Sequence, residues 1–218
     1  MESIVMTIAI TIGVVLVSMT VHEAMHGFVA YWLGDDTAKD EGRLTLNPIK
    51  HIDPFLTILL PVMLAIVGGP IFGGAKPVPF NPNRVRYDEW GAALVALAGP
   101  LTNLLIAFVS FGLMVALGYG QVNALMLGGG IVGTILQYFV FINLGFFVFN
   151  MLPIPPLDGS RVLYALAPDF VRRGMEAIEQ AGLLVVFALV LLAGSLLGQV
   201  MQALMQFILQ GFAAVYGV

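Results

Sequence analysis

The sequence predicts an all-α polytopic membrane protein, and three observations carry that prediction. Of 218 residues, 59% are hydrophobic and only 10% are charged, against roughly 25% charged in a soluble domain. Mean hydropathy is +0.96. The apolar residues gather into segments of membrane-spanning length, about 20 residues each, separated by short polar stretches. The expected architecture is about four spanning helices plus a re-entrant or short fifth apolar segment. Short extended or β stretches are expected near the reactive groups. Residues 1–218 are read as a single membrane-embedded domain, because no polar stretch is long enough for an appended soluble one. The absence of cysteine excludes disulfides, thiolate ligands and a cysteine nucleophile. A net charge of −4 without a long basic run argues against nucleic acid as a partner and leaves the lipid bilayer.

The first segment runs from Ile4 to Leu33 and ends on Gly34-Asp35-Asp36, a glycine stop followed by polar residues. The polar stretch 34–54 includes Arg43-Leu44-Thr45-Leu46-Asn47-Pro48, read as a short strand or extended arm. An apolar run from Phe55 to Val67 is broken by Gly68-Gly69-Pro70, and Lys76-Pro77-Val78-Pro79 then enforces extended backbone. Further apolar segments cover Trp90–Leu117, Val122–Asn150 and Leu183–Tyr216, the last with a possible break near Gly194–Gly198.

Lysines and arginines concentrate in 39–50, 76–86 and 161–173. The positive-inside tendency places all three stretches in the cytoplasm and the N-terminus outside. If 34–54 and 76–89 share a side, Phe55–Val67 is not a single crossing. Thirteen residues reach only about 20 Å as a helix, so the preferred reading is a re-entrant helix, with a true span over 55–73 as its competitor.

His22-Glu23-Ala24-Met25-His26 lies within the first segment. Side chains four apart share a helix face, so both imidazoles can reach one metal ion. Glu23 beside them can take a proton from a water on that metal. Ionisable groups at membrane depth are costly and point to function. A catalytic zinc site typically uses three protein ligands. The third is assigned to Asp158, which ends Pro153-Ile-Pro-Pro-Leu-Asp158 on the same side of the membrane by the charge argument. His51, the remaining histidine, is read as a loop residue rather than a ligand.

His22-Glu23-x-x-His26, Gly99-Pro100-x-x-Asn103 and Asn150-x-x-Pro153-x-Pro155-x-x-Asp158-Gly159 together resemble the site-2 protease family of intramembrane zinc metalloproteases. Arg43-x-x-Leu46-Asn47-Pro48, His51-x-Asp53-Pro54 and Lys76-Pro77-Val78-Pro79 resemble its short branch, without PDZ or CBS domains. The resemblance implies one Zn2+ per chain held by His22, His26 and Asp158, with Glu23 as general base. It implies that Asn150 supports or engages substrate, and more weakly that Asn103 does. Hydrolysis of peptide bonds within or next to transmembrane segments of substrate proteins is the expected activity. The expected location is the plasma membrane, with the active site toward the cytoplasm. The competing classes are a membrane metal or proton transporter and an inactive binding homologue.

Overall fold

The computed structural model describes residues 2–59, 74–119 and 130–218. Among the described residues four helices are long and apolar enough to cross a membrane: α1 (Glu2–Trp32), α3 (Asp88–Ala116), α4 (Gly130–Asn150) and α7 (Leu183–Tyr216). Between them lie a short α2 (Thr37–Asp40), a 3-10 turn (Pro48–His51), a π turn (Pro54–Leu59), α5 (Asp158–Leu166) and α6 (Asp169–Gln180).

Helix α3 is the centre of the molecule: half of its most apolar window is buried, against 6% for α7. Its buried residues are largely small, including Gly91, Ala92, Ala93, Ala96, Ala98 and Gly99. Small side chains let neighbouring backbones come close where lipid offers no hydrophobic drive for helix association. Helices α1, α4 and α5 all pack on α3. Pro100 lies inside α3 without ending it. The last apolar segment forms one continuous helix of 34 residues, so the glycines at 194 and 198 do not divide it.

Gly34 closes α1 as expected, with φ of 106°. The connector that follows is tied down by Asp35, which is fully buried. Its carboxylate accepts from Thr37 N (3.1 Å), Thr37 Oγ1 (2.5 Å) and Asn81 N (2.6 Å). Burial opposes ionisation of this carboxyl, but the hydrogen bonds from Thr37 and Asn81 outweigh it and hold the group below its ordinary range.

Two expectations need correction. Among the described residues no strand forms, and neither 43–47 nor 74–81 belongs to a β ladder. Pro77 and Pro79 have no N–H to give a ladder, and Val78 spends its N–H on Glu23. The stretch after Asp158, marked in the sequence only by the basic residues of 161–173, is helical. Helices α5 and α6 are joined by the Arg161–Glu179 pair, by Tyr164 OH donating to Glu176 Oε1 (2.6 Å) and by Arg172 Nε donating to Tyr164 O (3.0 Å). The re-entrant or spanning segment over 55–73 falls mostly outside the described residues, beyond the Pro54–Leu59 turn. The first residues of the Val122–Asn150 segment lie outside them too.

Candidate metal centre

The α1 backbone carries Ser18, His22 and His26 on one face, four residues apart, and all three are buried. His26 Nδ1 lies 2.7 Å from Val95 O of α3. A carbonyl only accepts, so this nitrogen carries the proton, which in the neutral ring leaves Nε2 its lone pair. His22 Nδ1 lies 2.5 Å from Asn103 Oδ1, also of α3. Asp158 opens α5, reached from α4 through Met151–Leu157.

The backbone comes unusually close here because two glycines permit it. A Cβ on Gly159 would sit 2.3 Å from Met151 O. A Cβ on Gly99 would sit 2.5 Å from His26 Nε2 and 2.6 Å from His22 Nε2. The hydrogen atom of Gly99 therefore leaves open the space toward which both imidazoles point.

Three acceptor atoms converge on that space. His22 Nε2 and His26 Nε2 are 3.0 Å apart. Asp158 Oδ2 is 3.2 Å from the first and 3.6 Å from the second. Tetrahedral zinc with bonds of 2.0–2.2 Å holds its ligand atoms about 3.4 Å apart, so the observed spacings fit that ion. Facing lone pairs and a carboxylate repel one another without a cation between them. Among the described residues these three form the group of His, Asp and Glu side chains able to hold a metal.

Glu23 is half-buried beside the group, and its Oε2 accepts from Val78 N at 2.9 Å. The 76–78 stretch is itself held by Arg43, whose Nη2 donates to Lys76 O (2.8 Å) and Pro77 O (3.3 Å), and by Lys76 N donating to His51 O (2.9 Å). His51 stands apart from the metal group, with Nε2 donating to Thr45 O at 2.8 Å. Asn103 touches His22 and Asn150 does not: the Asn150 amide turns back to Phe146 O of its own helix, 2.9 Å away.

Two polar residues at the centre were missed in the sequence, Ser18 and Asn143, both fully buried. Ser18 had a usable signal, because it stands four residues before His22 on the same helix face. Asn143 had only its polarity within an apolar segment to mark it.

A family model described as Peptidase family M50 matches residues 119–194. The chain is 43% identical over 175 residues to YwhC of Bacillus subtilis, named as a zinc metalloprotease, covering 80% of this chain and 76% of that one. It is 33% identical over 177 residues to Rip2 of Mycolicibacterium smegmatis, also named as a zinc metalloprotease, covering 81% of this chain and 64% of Rip2. The chain therefore spans a little under two thirds of Rip2. No solved structure matches it. With that identity maintained over most of YwhC and four apolar helices in the fold, the chain belongs to peptidase family M50, as a multi-pass membrane member.

Proposed function

We propose that the protein is an intramembrane zinc metalloendopeptidase that hydrolyses peptide bonds within or next to transmembrane segments of substrate proteins. The observation that carries this reading is the meeting of His22, His26 and Asp158 inside a membrane-spanning helix bundle, with Glu23 alongside. His22 Nε2, His26 Nε2 and Asp158 Oδ2 would hold one Zn2+. When bound, zinc supplies Lewis acidity, polarising a peptide carbonyl and making water acidic enough to lose its proton near neutral pH. Glu23 Oε1, free of the Val78 contact, takes the proton of the attacking water and returns it to the leaving amide nitrogen. Val78 N–H donates to Oε2 and so fixes which oxygen faces the substrate.

A transmembrane substrate hides its amides in helical hydrogen bonds and has to unwind before it is cut. An extended substrate segment would then be received by β-addition along residues 40–47 or Lys76–Asn81. The second stretch offers acceptors rather than donors, since its prolines lack N–H and Val78 N is engaged by Glu23. Asn150, at the end of α4 just before the turn to Asp158, would support substrate on turning its amide away from Phe146 O. Asn103 acts on His22 rather than on substrate. By the distribution of Lys and Arg, the centre lies toward the cytoplasmic side of the plasma membrane, where water reaches it.

The test is cleavage of a model transmembrane substrate by purified protein in detergent. Wild type is expected to cleave, to stop on chelation and to recover on zinc addition. Glu23→Gln is expected to lose about 10²–10⁴-fold in rate with its zinc retained. Cleavage that persists in Glu23→Gln or in chelator contradicts the reading.

A further inference from the structure

The hydrogen-bond polarity around His22 is set from a backbone carbonyl on another helix. Asn143 Nδ2 lies 2.8 Å from Phe139 O and 2.8 Å from Ser18 Oγ. The carbonyl can only accept, so the amide nitrogen of Asn143 has to face it. Asn143 Oδ1 is thereby turned toward Asn103 Nδ2, 2.7 Å away, and requires a donor there. Ser18 O, 3.5 Å from the same nitrogen, asks for the same orientation. Asn103 is left with Oδ1 toward His22 Nδ1 at 2.5 Å, which requires the proton on Nδ1 and leaves Nε2 a lone pair. Ser18, Asn103 and Asn143 are all fully buried. Reversing any amide would bury mismatched donors and acceptors where no water can repair them.

The direction matters because His22 has a competing tautomer. With its proton on Nε2, the ring would donate to Asp158 Oδ2, 3.2 Å away, and the carboxylate would be satisfied without a cation. We propose that Asn143 and Ser18 are positioning residues of the metal centre. They lock the Asn103 amide so that His22 is held as the Nδ1–H tautomer, with Nε2 free for the metal. This rests on the zinc-ligand reading above and adds two residues to it. A network serving only to pack α1, α3 and α4 would need every partner satisfied, but its direction would not matter to the metal.

The test measures zinc affinity by chelator competition and the visible spectrum of the Co(II)-loaded protein, both on folded, monodisperse protein in detergent. Asn143→Leu keeps the side-chain size and removes the amide. It is expected to weaken zinc about 10–100-fold and to alter the Co(II) bands, with no further loss when added to His22→Ala. Ser18→Ala is expected to weaken zinc several-fold, less than Asn143→Leu because Phe139 O still orients Asn143, and Ser18→Thr to restore it. Wild-type affinity and spectrum in Asn143→Leu, or an equal extra loss in the His22→Ala background, overturns the proposal. Should Asn143→Leu not fold, wild-type affinity in Ser18→Ala overturns it alone. A wild type that binds no zinc, or a His22→Ala protein that binds as wild type does, instead defeats the zinc-ligand reading itself.

Discussion

The same two helices, α3 and α4, are held together in two different ways along their length. At one level Asn103 meets Asn143, and both connect to α1 through Ser18 and His22. One turn further along α3, Ala107 begins an apolar cluster with Phe111, Met114, Val140, Leu144 and Phe212 of α7. The apolar contacts depend on shape and dispersion, tolerate small repacking and specify no tautomer. The amide contacts admit one arrangement of donors and acceptors, because a wrong one is expensive where no water can repair it. The apolar level holds the helices together, and the polar level fixes which atoms face the metal.

Substitutions at the two levels should therefore separate metal binding from stability. The largest effect on the centre is expected from Gly99→Ala. Its Cβ would fall 2.5 Å from His26 Nε2 and 2.6 Å from His22 Nε2, and a displacement of about 1 Å costs on the order of 10²-fold in function. Zinc titration and proteolysis should fall together. At the apolar level, Phe212→Ala removes a ring packed edge-on against Phe108 and Phe111, at 5.1 and 5.9 Å between centroids. It is expected to cost up to about 3–5 kcal/mol of stability, read as a lower thermal midpoint, while zinc per folded molecule stays at the wild-type value.

Between these levels and the polar surface lies Asp35, which ties the end of α1 to the stretch leading into α3. Asp35→Ala is expected to destabilise by about 1–3 kcal/mol. The carboxyl titrates below its ordinary value of about 4 in the fold. As pH falls, the unfolded chain takes up this proton before the folded one does. The Asp35 contribution is therefore intact above pH about 4 and lost as pH drops through the folded value. Thermal midpoints of wild type and Asp35→Ala should converge in that acid window. The smallest effect is expected from Tyr216→Phe, which gives up one long hydrogen bond to Phe108 O (3.3 Å), about 0.5 kcal/mol, with ring packing and zinc unchanged.

Much of the apolar level was legible in the sequence, because hydropathy and length mark a spanning helix without tertiary information. Trp90–Leu117 corresponds to α3 at Asp88–Ala116, and Leu183–Tyr216 to α7 without change. The polar level was legible only where a spacing carried chemistry, as in His22 and His26 four apart. Asp158 was reachable through the charge pattern, which put its loop on the side of that pair. Asn143 was not reachable, since its role depends on which neighbours α1 and α3 bring to it. Helices α5 and α6 were hidden because they are short, nine and twelve residues, and carry the charged residues of a connection, including the Arg161–Glu179 pair that joins them. The extended backbone expected at Lys76-Pro77-Val78-Pro79 joins no ladder for a tertiary reason too, since Glu23 takes the N–H of Val78.

The central claim is that His22, His26 and Asp158 form one zinc site within the membrane bundle. Its most direct test is the zinc content of protein purified in detergent, measured for wild type and for His22→Ala, His26→Ala and Asp158→Ala with folding monitored alongside. One zinc per wild-type chain, and a loss of zinc from each folded variant, is the result expected. Wild-type zinc content in folded Asp158→Ala, or no zinc in the wild type after reconstitution, would contradict the account.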